Sequence, residues 1–240
     1  MMKVNVIASG STGNCTAVTC GKNTLLLDAG IDFKRIQRAL NFENPLAALI
    51  THEHSDHADK KTIAELLNRG VKVYMTAGTA QALQLNARHN LLILQPTKGG
   101  CYNAEIVLKA GCLMIFADKV THDAAEPVSF DIIHDGQQLK YLIDSGTAPA
   151  AQITQADFLV IESNHSDAAL LAADIDDFQK QRISQNHLSI EKAAAFIDAY
   201  EKDFFKEIHL VHISRRTGNA QLFKDIVQNI VGDKVQVFAH

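Results

Sequence analysis

Along the first third of the chain, short apolar runs alternate with polar, Gly-rich turns. Val4–Ala8, Thr16–Thr19 and Thr24–Asp28 have the length and composition of strands, separated by turns at Gly10–Gly13 and Gly21. Asp32 stands where an N-cap belongs, ahead of a helix running to Leu40. Leu46–Ile50 is too short for a helix and is expected as a buried strand. Ile63, Leu66 and Leu67 repeat at helical spacing, with Gly70 behind them as a stop. A strand over Val71–Met75 and a short helix over Thr79–Leu85 follow.

The middle of the chain changes period. Leu91–Leu94, Glu105–Lys109, Leu113–Phe116, Asp131–His134, Lys140–Ile143 and Phe158–Ile161 read as a run of strands. Helical spacing returns with Ile190, Ala193, Ala194 and Ile197. The chain closes on a strand over Ile208–His212, a helix over Gln221–Val231 and a strand over Lys234–Phe238. No linker, low-complexity tract or repeat interrupts this order. Residues 1–240 are therefore expected to form a single α/β domain with helices on the outer faces of its sheets.

Composition narrows the classes. A 47% hydrophobic, 21% charged chain of 240 residues has the balance of a folded globule, which excludes disorder. A net charge of −4 excludes a broadly basic coat for nucleic acid, although it leaves room for a locally cationic cleft. No apolar run is long enough to cross a membrane. The strand-like Val4–Ala8 begins with no secretion signal ahead of it, so a cytoplasmic location is expected. Cys15, Cys20, Cys101 and Cys112 contain no C-x-x-C pair and are expected as reduced core thiols. The unusual count is histidine, at 11.

Those histidines converge. His52, His54, Asp56 and His57 fall within six residues, directly after the apolar Leu46–Ile50 run. A strand end feeding a loop is where α/β proteins place ligand-binding groups. Residues i and i+2 of an extended loop point the same way, so His52 and His54 can grip one ion while Asp56 and His57 grip a second. Imidazole and carboxylate without thiolate suit Zn²⁺, Mn²⁺ or Fe. Two ions need further ligands, and His122, Asp144 and His212 stand at strand ends downstream.

These residues, together with Leu26-Leu27-Asp28-Ala29-Gly30, resemble the metallo-β-lactamase superfamily over nearly the whole chain. The resemblance implies a four-layer αββα sandwich with a binuclear site at one edge of the two sheets. It implies that His52, His54 and His122 hold one ion and that Asp56, His57 and His212 hold the other. Asp144 would bridge them, with a hydroxide between the metals. Finer motifs look like the YycJ/WalJ-type branch: Ala8–Cys15, His122–Val128, Glu162-Ser163-Asn164-His165 and His187-Leu188-Ser189. That branch is described as phosphodiesterase-like, with a proposed 5′-to-3′ exonuclease activity on DNA. The related tRNase Z branch uses a Glu after a strand and a His opening a helix as a proton relay, and Glu162 and His187 stand in matching places. Departures occur at Asn186, where the branch usually has Gly, at Ile190, where it usually has Asn, and after His212.

The expected activity is hydrolysis of a phosphodiester, most simply nucleic acid, by two divalent metal ions. Two such ions less Asp56 and Asp144 leave about +2 in the cleft, enough to draw an anionic substrate to an anionic chain. Asp56 is a candidate to orient the hydroxide, and Glu162 and His187 to protonate the leaving group. His165 is expected on a substrate phosphate or at the rim. Arg215 with Arg216, and Lys60 with Lys61, offer a path for the substrate or simply a solvated surface. Asp28 is expected to buttress the ligand loop through hydrogen bonds. Two other readings use the same residues: a hydrolase of small thioesters or lactones, and a non-catalytic metal-binding regulator. No membrane partner is expected, and the sequence leaves a homo-oligomer open.

Overall fold

The computed structural model of the chain describes residues 1–97, 101–107, 112–148 and 155–240. They fall into two units, Met1–Lys119 with Ala124–Gly136, and Val120–Asp123 with Gln137–His240.

The first unit opens on an antiparallel meander of β1 (Met2–Ala8), β2 (Cys15–Cys20) and β3 (Asn23–Leu27). Next come α1 (Phe33–Ala39), β4 (Ala47–Leu49), α2 (Lys60–Asn68), β5 (Lys72–Met75), α3 (Ala77–Ala82) and β6 (Leu91–Ile93). Strands β3 to β6 pair in parallel, with Leu25 opposite Ala47, Leu49 opposite Tyr74 and Met75 opposite Ile93. All three residues of β4 are buried, the continuous apolar pattern of a strand covered on both faces. Asp32 and Asp59 cap α1 and α2 by accepting from Lys34 N and Thr62 N, which starts each helix where its apolar stripe begins. Ile63, Leu66 and Leu67 of α2 then bury against Leu26, Ala48, Ile50 and Val73. The unit also holds β7 (Gln95–Pro96), β8 (Tyr102–Val107), β9 (Cys112–Lys119) and β10 (Val128–His134), paired antiparallel in that order.

The second unit is a parallel array of β11 (Gln137–Leu142), β12 (Phe158–Glu162), β13 (Glu207–Val211) and β14 (Gln236–Ala239). Helices α4 (Asp167–Ala172), α5 (Asp177–Asn186) and α6 (Ile190–Asp198) lie between β12 and β13 in the chain, and α7 (Ala220–Val231) between β13 and β14. Ile190, Ala193, Phe196 and Ile197 of α6 and Phe223 and Val227 of α7 build the core with Leu159, Ile161 and Leu210.

Most expected elements appear within a residue or two. The helix expected over Thr79–Leu85 starts earlier, at Ala77, because Thr76 Oγ1 caps it. Residues 108 and 109 of the strand expected over Glu105–Lys109 lie outside the described residues. Helices α4 and α5 had no counterpart in the sequence pattern. The reason is physical: α5 buries none of its residues, so it carries no apolar stripe to read. Cys15 and Cys20 are buried free thiols, as expected; burial pushes the Cys20 thiol up to about 11 and that of Cys15 higher still, so both stay protonated. Among the described residues no helix is long and apolar enough to cross a membrane.

Both units bring their functional side chains to the carboxyl ends of parallel strands. Asp28 follows β3, and Thr51 and His52 follow β4. Asp144 follows β11, Glu162 ends β12 and His212 follows β13.

Candidate metal centre

In the first unit the ligand loop is built on a buried carboxylate. Asp28 is fully buried and adopts φ 60, a left-handed conformation that turns its side chain off the end of β3. Its Oδ1 accepts from Thr51 N at 2.8 Å and Thr51 Oγ1 at 2.9 Å, and its Oδ2 accepts from His57 Nδ1 at 2.7 Å. With Nδ1 donating, His57 Nε2 carries the lone pair, which faces Asn14 Nδ2 at 2.9 Å. Thr51 Oγ1 also lies 3.0 Å from His52 Nδ1. The His52 ring sits 4.7 Å from that of His54 and 4.3 Å from that of His57, centre to centre. Asp56 Oδ2 is 3.6 Å from His57 Nε2. The expected buttress role of Asp28 is thus visible in its hydrogen bonds to Thr51 and His57.

Backbone packing fixes the same loop. Asn14 N donates to Asp56 O at 2.6 Å, and Ala29 N donates to His57 O at 2.8 Å. The α-carbon of Gly30 lies against the Asp56–His57 peptide so closely that any side chain there would overlap it. Glu53, between the first two histidines, accepts from Ala125 N at 2.8 Å. Sequence reasoning gave Asn14 and Glu53 no role; both stand inside the quoted motifs, which was the available signal.

The second unit gathers Asp144, Glu162, His187 and His212, each bringing one ligand atom to within 4.8 Å of the others. Asp144 and His212 have φ 48 and 55, so both leave their strands through a left-handed turn. Such strained positions cluster where a side chain must be aimed. Glu162 is fully buried and accepts from His187 Nδ1 at 2.7 Å, His212 Nδ1 at 3.0 Å, Leu188 N at 3.0 Å and Ser145 N at 3.1 Å. Burial alone would raise its pKa, but the charge of His187 and these hydrogen bonds outweigh burial and hold it below the ordinary value. Burial works against charge on His187 as well; the charge of Glu162 and the contact with Asp144 win, and its pKa is pushed up to about 10. His187 Nδ1 also lies 3.3 Å from Asp144 Oδ1. His212 Nδ1 is 3.1 Å from the same oxygen, and Asn164 Nδ2 lies 3.2 Å from His212 Nδ1.

His122 donates from Nδ1 to the carbonyl of Asn186 at 2.9 Å, which leaves Nε2 as the basic nitrogen, 3.7 Å from Asp144 Oδ2. Burial lowers its pKa, keeping the ring neutral as a metal ligand must be. His165 is buried, not at the rim. Neither ring nitrogen has a hydrogen-bond partner among the described residues, and Asp167 Oδ1 lies 3.8 Å from its Nε2. Arg215 and Arg216 are exposed, as are Lys60 and Lys61 at the start of α2.

The donor chemistry fits divalent metal ions. The set is imidazole and carboxylate, and His57 and His122 each commit Nδ1 to an oxygen and present Nε2.

Comparison with known proteins gives the family and the fold. A family model described as "Beta-lactamase superfamily domain" matches residues 23–213. The chain is 30% identical to "Exodeoxyribonuclease YycJ" of Bacillus anthracis over 247 residues, covering 96% of this chain and 89% of the relative. It is 30% identical to "Exodeoxyribonuclease WalJ" of Streptococcus pneumoniae serotype 2 over 231 residues, covering 92% and 84%. Among solved structures, the metallo-β-lactamase fold protein YhfI of Bacillus subtilis superposes with a TM-score of 0.73 at 19% identity, over 100% of this chain and 95% of that one. The expected fold class is borne out.

Proposed function

This chain belongs to the β-lactamase superfamily, and on that premise we propose that it is a metal-dependent phosphodiesterase that degrades DNA from a 5′ end in the cytoplasm. The substrate class rests on the two relatives named exodeoxyribonucleases, which match it over more than nine-tenths of its length. The observation that supports the chemistry is the Glu162–His187 pair, an imidazole held 2.7 Å from a buried carboxylate and 3.3 Å from the candidate bridging carboxylate of Asp144.

We assign His52, His54 and His122 to one ion, Asp56, His57 and His212 to the other, and Asp144 to both. Zn²⁺ and Mn²⁺ both suit these donors. Bound there, two such ions would supply hydroxide at neutral pH and neutralise charge on the phosphoryl oxygens. Asp56 orients the nucleophile. Glu162 keeps His187 protonated and aimed, and His187 delivers its Nε2 proton to the alkoxide as it leaves. Arg215 and Arg216, both exposed, meet the phosphodiester backbone.

The test offers purified protein, loaded with Zn²⁺ or Mn²⁺, to 5′-phosphorylated DNA, bis(p-nitrophenyl) phosphate and a thioester. DNA cleavage that falls about 10²–10⁴-fold in His187→Ala is expected. Thioester turnover without phosphodiester cleavage would transfer the site to small-molecule hydrolysis. Stoichiometric metal with no turnover would make the chain a metal-binding regulator.

A further inference from the structure

Helix α5 lacks the usual reason for being a helix. It spans ten residues, buries none of them, and leaves Phe178 on its first turn 76% exposed. A polar helix of this length is marginal without tertiary support. Its support is polar and comes from the loops that carry candidate site residues. Arg182 donates from Nε and Nη2 to Asp123 Oδ2 at 2.9 and 2.7 Å, directly after His122. The carbonyl of Asn186 accepts from His122 Nδ1 at 2.9 Å. Lys192 Nζ joins the carbonyl of Ser184, at 3.3 Å, to that of Gly146, at 2.9 Å, two residues beyond Asp144. Gly146 in turn donates to Thr121 O at 2.8 Å and lies against the Gln185 carbonyl with no space for a side chain. His187 is the residue that ends the helix, its N–H on Ile183 O at 2.9 Å.

We propose that α5 is a positioning strut, in which Arg182 and Lys192 act as positioning residues that hold the His122 loop, the Asp144 loop and His187 in one register. The inference rests on the proposed phosphodiesterase reading. In it, neither side chain touches substrate; they fix where the proton donor stands relative to the ligand loops. Loss of the strut then harms the step that needs the proton and spares a leaving group that needs none.

Two measurements test this with Arg182→Met, Arg182→Lys and the Arg182→Met/Lys192→Met pair. In metal-free protein, amide hydrogen exchange over residues 178–186 is expected to rise about fivefold in Arg182→Met and about 30-fold in the pair, with α6 unchanged, since an exposed ion pair contributes little and two such contacts add. In metal-loaded protein, kcat on 5′-phosphorylated DNA is expected to fall about tenfold in Arg182→Met with KM within about twofold. Turnover of bis(p-nitrophenyl) phosphate should stay within about twofold, because p-nitrophenolate leaves without a proton. Arg182→Lys should fall between wild type and Arg182→Met in both readouts. Exchange equal to wild type, or equal losses on the two substrates, would overturn the strut. Absence of phosphodiester cleavage by the wild-type protein would instead refute the proposed function, and the exchange data would still judge the strut.

Discussion

His57 in the first unit and His122 in the second both use Nδ1 to donate and Nε2 to present, yet they are held by different materials. His57 rests on a fully buried carboxylate, Asp28, which also ties down Thr51, and Gly30 closes the backbone around the loop. His122 Nδ1 rests on the Asn186 carbonyl at the end of α5, a helix that buries none of its residues. The first arrangement is stiff because a buried charge tolerates only one geometry. The second is adjustable because exposed polar contacts hold it. Ligands that must be in place before substrate arrives suit the first; an acid that acts late, on the leaving group, suits the second.

The comparison breaks most visibly at Asp28. Removing it leaves Thr51 N and His57 Nδ1 in the interior without their acceptor. Asp28→Ala is expected to cost the metal-free protein about 3–5 kcal/mol, read as the urea midpoint. A loss below about 1 kcal/mol would show that the loop does not depend on this carboxylate.

The two close-packed glycines rank the same regions by stiffness. Gly30→Ala presses a methyl into the Asp56–His57 peptide, which the surrounding hydrogen bonds forbid from moving. Gly146→Ala presses against Gln185 of α5, which can yield. We expect about 2–3 kcal/mol for the first and about 1 kcal/mol for the second, in thermal melts. The reverse order would mean that α5 is the more rigid of the two.

How much of this was legible beforehand follows the same division. The ligand loop sits in six consecutive residues after an apolar strand, so local pattern alone exposes His52, His54, Asp56 and His57. His122, Asp144 and His212 were visible only as polar residues at strand ends, and their left-handed backbones left no mark in the sequence. Helix α5 was not visible at all. Its contacts run between Arg182 and Asp123, and between Lys192 and two carbonyls, and no periodicity encodes those. Apolar burial writes itself into sequence as a repeat; polar bracing between distant loops does not.

His209 extends the comparison to a buried imidazole that no buried carboxylate supports. It lies between Glu207 Oε2 at 3.2 Å and His240 Nε2 at 3.1 Å and stacks on Phe238, and burial lowers its pKa to about 4. A histidine lowered from about 6.5 is neutral in the folded chain and takes up a proton more readily when unfolded. Its stabilising effect is therefore complete above pH 6.5 and is lost as pH falls toward 4. At pH 5 the loss relative to pH 7.5 is about 2 kcal/mol. His209→Gln should remove about that loss from the pH dependence of metal-free stability, read as urea unfolding at pH 5 and pH 7.5; an unchanged slope would assign the acid sensitivity to other groups.

The smallest effect tests the claim about α5 most directly. Leu171 of α4 and Phe178 of α5 are large apolar residues that are 77% and 76% exposed. If the α4–α5 segment were held by apolar packing, replacing both with Ser would cost what burying such side chains is worth, about 1.5–3 kcal/mol each. If polar bracing holds it, Leu171→Ser/Phe178→Ser should change stability by no more than about 0.5 kcal/mol and leave exchange over residues 178–186 as in wild type. Arg182→Met is just as neutral to global stability but should raise that exchange. The two variants match in the melt and differ in the exchange, because global stability reports the core and local exchange reports the brace.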